Sequence, residues 1–162
     1  MTQISQHFSL EEFQKDSDIP QECIEAFTVL ATSVLDPVRD WCAAPLLITS
    51  GYRDVPANTA AKGQPNSEHS ATADWCAADF YCPDKTTDSI FDWMRNNPSL
   101  PFHQLIFERG QNGSSVVHVS WNRLKPGVRS VLQGATHNAE PYVKVSYVPY
   151  APVQATTKDI QT

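Results

Sequence analysis

The 162 residues carry a formal net charge of −6, with 41% hydrophobic and 19% charged side chains, which is the composition of one folded domain and excludes a disordered chain. No Lys/Arg cluster marks a nucleic-acid interface, and no stretch approaches the roughly 20 apolar residues of a membrane span, so neither nucleic-acid binding nor membrane insertion is expected. The start, Met1-Thr-Gln-Ile-Ser-Gln-His7, lacks the basic and apolar segments of a signal peptide, so synthesis in the cytoplasm is expected.

Phe8-Ser-Leu-Glu-Glu-Phe13 holds a capping box, with Ser9 as cap, Glu12 reaching back and Phe8 and Phe13 as staple, and predicts a short helix. Pro20 suits the first turn of a second helix. There Ile24, Phe27, Leu30, Val34, Val38 and Trp41 recur every three or four residues and form a core stripe. Residues 45–50, Pro-Leu-Leu-Ile-Thr-Ser, read as a buried strand. From Gly51 to Ser70 the composition predicts a long loop, and a loop of that length in a small domain is usually functional. A strand is expected from Trp75 to Tyr81 and a helix from Thr86 to Asn96 with Ile90, Phe91 and Met94 inward. Strands follow over 102–107 and 115–121, with Asn112-Gly113 as the turn between them. We place the domain at 1–133 and a tail at 134–162, where Tyr142 to Val148 reads as an edge strand or a disordered trail. Helices early and strands late give an α+β domain, with N-terminal helices packed on a mainly antiparallel sheet.

Cys23, Cys42, Cys76 and Cys82 form no Cys-x-x-Cys pair, so buried thiols are expected, with Cys76 and Cys82 as the pair to cross-link in an oxidising compartment. Three other residues attract attention. Asp79 interrupts the apolar strand Cys76-Ala-Ala-Asp-Phe-Tyr81, where a carboxylate needs a partner or a metal. Alternation places it on one face with Ala77 and Tyr81, and Cys76, Ala78, Phe80 and Cys82 on the other. His118 sits in the strand Val116-Val-His-Val-Ser-Trp121, where a hydrogen-bonded core histidine is an equal reading. His69 lies in a polar loop, where a lone histidine is ordinarily solvated. Together they make a His–Asp–His set, and a catalytic zinc takes three protein ligands and keeps one position open.

The order of motifs sharpens this reading. Thr49-Ser-Gly-Tyr-Arg53, Asn58, Gly63, Pro65-Asn-Ser-Glu-His69, Ala77-Ala-Asp79, Gln104-Leu-Ile-Phe-Glu108 and Val117-His-Val-Ser120 follow one another as in a known family. The chain resembles the zinc D-alanyl-D-alanine carboxypeptidases and phage endolysins of the L-alanyl-D-glutamate type over roughly residues 7–132. His7-Phe-Ser-Leu-Glu-Glu-Phe13 and Val34-Leu-Asp-Pro-Val-Arg39 extend the resemblance. It implies one zinc ion per chain, held by His69, Asp79 and His118. It also implies that Arg53 holds the substrate near its scissile carbonyl or carboxylate, a role suited to a planar fork of donors. A structural salt bridge is the plainer account of Arg53. Ser67 and Gln104, within the shared motifs, are assigned to the substrate.

Two departures matter. The family aspartate stands seven positions after the histidine, which here is Cys76. The segment from Ser70 to Trp75 carries about three extra residues and lacks the usual glycine. Asp79 is chosen for its Ala-Asp-Phe context, with Asp74 and Cys76 as competitors. An acidic residue three positions before the last ligand, present in many relatives, is here Ser115. Glu108, on a strand face with Gln104 and Ile106, is therefore the expected general base, and a surface glutamate at a strand end is its plainer reading. His103, on the other face with Leu105 and Phe107, is the reserve base or transition-state donor. The expected function is zinc-dependent hydrolysis of D-amino-acid-containing bonds in peptidoglycan, by carboxypeptidase or endopeptidase action, in a phage-associated monomer acting on the wall stem peptide. The alternative is an inactive module of the same fold with a binding or structural role.

Overall fold

The computed structural model describes residues 1–109, 113–135 and 148–149. A first 3-10 turn, Leu10–Phe13, is closed by the predicted capping box, in which the Ser9 N–H donates to Glu12 Oε1 at 2.9 Å. The phenyl rings of Phe8 and Phe13 meet at 5.9 Å between centroids. The expected helix is no longer than this turn.

The second helix runs without interruption over residues 21–42, but its winding changes three times. It begins as a 3-10 turn, Gln21–Cys23, and continues as α1 (Ile24–Leu30). It widens to a π turn over Ala31–Leu35 and ends as α2 (Asp36–Cys42). Pro37 explains the widening: it has no N–H to offer the preceding turn, and its ring crowds the carbonyls there. Phe27, Leu30, Val34 and Val38 are fully buried as the stripe predicts. Ile24 and Trp41 depart from it, both half-buried, and Trp41 stacks on Trp93 at 4.9 Å. Asp36 is buried and binds the N-terminal segment, accepting from Ser5 Oγ at 2.9 Å and from the Gln6 N–H at 3.0 Å.

Among the described residues, six strands form one sheet in the order β1-β2-β4-β3-β5-β6. They are β1 (Leu47–Ser50), β2 (Trp75–Tyr81), β3 (Gln104–Arg109), β4 (Ser115–Asn122), β5 (Ser130–Ala135) and β6 (Val148–Pro149). All neighbours are antiparallel except β3 and β5, which are parallel. β1 and β3 begin two residues later than expected, and β5 was not anticipated. It runs across the expected boundary at 133–134. Gly113 adopts φ +80°, as a tight turn requires, while Asn112 and residues 142–147 lie outside the described residues.

One face of the sheet is the core. Cys76, Ala78, Phe80, Leu105, Phe107, Val117 and Val119 bury themselves there against the long helix and α4 (Thr87–Asn96), whose Ile90, Phe91 and Met94 point inward as expected. The expected loop over 51–70 contains α3 (Val55–Ala60). Its N-cap is Asp54, whose carboxylate accepts from the Ala57 N–H at 2.8 Å, with Pro56 in the first turn. All four cysteines are free and buried. Cys76 and Cys82 cannot pair, because six residues of extended chain separate them by roughly 20 Å. Cys82 instead neighbours Cys42, whose thiol is pushed up to about 12 by burial and by Cys82. No helix among the described residues is long and apolar enough to cross a membrane.

Candidate metal centre

The other face of the sheet carries the site. Asp79 on β2 and His118 on β4 are register partners, and Ile106 on β3 is the next partner in the same row. A register irregularity in β1 between Ile48 and Ser50 lets Ser50 pair with Asp79. Ser50 Oγ then donates to Asp16 Oδ2 at 2.7 Å, and Thr49 Oγ1 donates to the Asp79 carbonyl at 3.1 Å. His69 reaches the row from the loop after α3.

Three ligand atoms converge. Asp79 Oδ1 lies 2.8 Å from His118 Nδ1 and 3.2 Å from His69 Nε2, and the two ring nitrogens are 3.2 Å apart. All three residues are buried, and this is the set of His, Cys, Asp and Glu side chains able to hold one metal ion that emerges among the described residues. Their chemistry fits a cation. His69 Nδ1 is 2.6 Å from the Gly51 carbonyl, so Nδ1 carries a hydrogen and Nε2 is the nitrogen left to face the other two ligand atoms. A lone pair and a carboxylate oxygen at 3.2 Å repel unless a proton or a metal lies between them. A tetrahedral zinc with bonds of about 2.0–2.1 Å holds its ligand atoms roughly 3.3 Å apart, close to the spacing here. His118 Nε2 is buried with no hydrogen-bond partner among the described residues.

Burial opposes the charge on Asp79, but the adjacent His69 and the hydrogen bond from His118 outweigh it and hold the carboxyl well below its usual range. Burial likewise disfavours charge on His118, and the bond to Asp79 outweighs it in turn, raising its pKa. Without a metal, protons on the imidazoles hold the carboxylate ionised, and a bound ion would take their place.

The competitors lie elsewhere. Asp74 is ion-paired with Arg123 at the surface, and the buried Cys76 faces the helices. Ser115 carries only a hydroxyl, which is no base at neutral pH, and its carbonyl accepts from Thr87 Oγ1.

A cleft of about 510 Å³ opens over the triad. Arg53, Ser67, Gln104 and Glu108 all line it, whereas His103 does not. Arg53 Nη2 donates to Asp79 Oδ2 at 3.2 Å, and Nε faces Asp16 Oδ2 at 3.5 Å. Gln104, Ile106 and Glu108 share the cleft face of β3, as alternation predicts. His103 Nδ1 instead bonds Glu68, 2.9 Å from Oε1 and 3.0 Å from Oε2. Burial pushes the Glu68 carboxyl up, but bonds from Ser120, Asn122 and His103 outweigh it and hold its pKa low.

Glu68, Asp16 and the Gly51 carbonyl were not singled out from sequence. The signal for part of this was present: Ser120 and Asn122 follow His118 at two and four residues, which puts polar side chains on its strand face.

The sequence model of the Peptidase M15 family matches residues 6–120, a stretch that ends just past His118. A comparison with curated proteins finds no match.

Proposed function

The chain belongs to the M15 peptidase family, and from that premise we propose that it hydrolyses D-amino-acid-containing peptide bonds of bacterial peptidoglycan at a zinc ion held by His69, Asp79 and His118. The family match makes it a metallopeptidase, and the observation that carries the site assignment is the triangle of ligand atoms with sides of 2.8, 3.2 and 3.2 Å at the floor of the cleft.

Zinc, when bound, supplies a Lewis acid for the scissile carbonyl and lowers the pKa of water. The chain's own residues supply the rest. Glu108, on the cleft face of the strand that neighbours His118, is assigned to accept the proton of the attacking water and return it to the leaving amine. Arg53 fixes the second oxygen of Asp79 and presents its guanidinium to the cleft, where it is assigned to the substrate carbonyl or carboxylate. Ser67 and Gln104, which both line the cleft, are assigned to the peptide backbone through a hydroxyl and an amide.

A second hollow of about 590 Å³ adjoins the cleft, sharing Thr49, Ser114 and Val116 with it and continuing past Tyr81 to Lys85. Room for chain beyond the triad supports an internal cut over removal of one terminal residue. The phage-associated setting rests on the resemblance to endolysins alone. Synthetic wall stem peptides, incubated with zinc-loaded protein and read by mass spectrometry, test the reading. Internal fragments are expected. Release of terminal D-alanine alone would make the enzyme a carboxypeptidase, and intact peptides would overturn the proposed substrate.

A further inference from the structure

Resting on the zinc reading above, we propose that Glu68 is a positioning residue whose buried carboxylate anchors the loop of His69 to the sheet, so that the ligand triangle is built before the ion arrives. The Glu68 side chain is 9% exposed, in a segment of turns between Gly63 and Ser70. A buried carboxylate is costly unless donors surround it, and here they do. Asn122 Nδ2 donates to Oε1 at 2.7 Å, His103 Nδ1 sits within 3.0 Å of both oxygens, and the Ser120 hydroxyl is a further donor.

The placement of these donors gives the anchor its meaning. Ser120 and Asn122 lie on β4 with His118, so one strand carries one ligand and also grips the residue next to another. His103 is held by main chain on two sides: its N–H donates to the Ser120 carbonyl at 2.8 Å, and its carbonyl accepts from the Ser130 N–H at 2.8 Å. It is therefore a fixed post between β4 and β5. On the other side of the ligand, the Arg53 N–H donates to the His69 carbonyl at 3.0 Å and Gly51 orients the ring. Asn58 Nδ2, donating to the Gln64 carbonyl at 2.9 Å, ties the start of the loop to α3, and Glu68 adds the ties to β4 and to His103. Glu68 lines the cleft as well, and with both its oxygens engaged by donors its carboxylate serves as a tether through which His103 acts.

The test measures the zinc dissociation constant of the full chain by chelator competition, together with the visible spectrum of the cobalt(II) form. Glu68→Ala is expected to bind zinc about 10- to 100-fold more weakly and to alter the cobalt spectrum. Glu68→Gln is expected to recover most of the affinity, because its amide oxygen still accepts from Asn122 and His103. His103→Ala is expected to weaken zinc, and Glu68→Ala/His103→Ala to be no weaker than Glu68→Ala alone. Met94→Ala, which opens a cavity in the helix layer, is expected to lower the melting temperature and leave zinc affinity unchanged. Should Glu68→Ala not fold, His103→Ala and Asn122→Ala carry the test. Wild-type affinity in the variants that fold, or an equal loss in Met94→Ala, overturns the role of Glu68 alone. A wild-type chain that binds no zinc overturns the metal reading as well.

Discussion

Asp79 and His118 face each other across the β2–β4 ladder as direct register partners, with Oδ1 of one 2.8 Å from Nδ1 of the other. Two of three ligands are thus set by strand pairing, the most rigid geometry the fold offers. A one-residue slip of β4 would turn His118 into the core. Only His69 depends on a loop, and that loop is held by Gly51, Arg53 and Glu68.

Metal content separates the ligands from their competitors. His69→Ala, Asp79→Ala and His118→Ala are each expected to retain well under one zinc per chain after dialysis, measured by elemental mass spectrometry. Asp74→Ala loses a surface ion pair with Arg123 and is expected to keep its zinc. Cys76→Ala is expected to cost stability and not metal, because the thiol packs against the helices.

Gly51 has no room for a side chain. A Cβ there would lie 2.3 Å from the Phe13 carbonyl oxygen and 2.7 Å from its Cα, both backbone atoms that cannot swing aside. Gly51→Ala must shift the carbonyl that orients His69. The expected loss is about 1–3 kcal/mol of stability and about 10- to 100-fold in zinc affinity, read by thermal unfolding and zinc titration.

The two proposed catalytic groups differ in what their removal leaves intact. Glu108→Gln is expected to keep zinc and fold while kcat falls by about 10²–10⁴. Arg53→Ala is expected to lower kcat by roughly 10²–10³. Arg53→Lys is expected to rescue it poorly, since an ammonium cannot reproduce a fork that meets Asp79 and is proposed to meet the substrate as well. Steady-state kinetics on a stem peptide, with zinc content checked, reads all three. Full activity of zinc-loaded Glu108→Gln would remove Glu108 as the base.

Alkaline stability reports the Cys42–Cys82 neighbourhood. Burial, first, and then Cys82 push the Cys42 thiol from an ordinary value of 9.0 to about 12. Between those values the unfolded chain has released a proton that the folded chain keeps, so stability falls as pH rises from 9 toward 12. Cys42→Ala is expected to flatten that slope in urea unfolding, and thiol reagents at pH 8 are expected to label Cys42 only on unfolding.

Much of this arrangement was legible in the residues. The alternation of β2, β3 and β4 put Asp79, His118 and Glu108 on the faces they occupy, and the order of motifs joined His69 to them. The capping box of Ser9 and Glu12 was equally plain. What stayed hidden has physical causes. α3 has no apolar stripe to show periodicity, although Asp54 and Pro56 marked its start. The π turn follows from Pro37 acting on carbonyls a turn away, a backbone effect that a side-chain stripe conceals. The Glu68 cluster needs donors from residues 103, 120 and 122, and only the register of three strands brings them together. Cys42 and Cys82 meet through helix packing, which no spacing along the chain reveals.

Purified peptidoglycan digested with the zinc-loaded chain tests the central claim most directly, with released fragments identified by mass spectrometry before and after metal removal. The account predicts new stem-peptide termini at bonds involving D-amino acids. It also predicts that they disappear on chelation, return on adding zinc, and are absent with Asp79→Ala. Intact peptidoglycan with a chain that holds one zinc would contradict it, and would leave a metal-binding module in place of a wall peptidase.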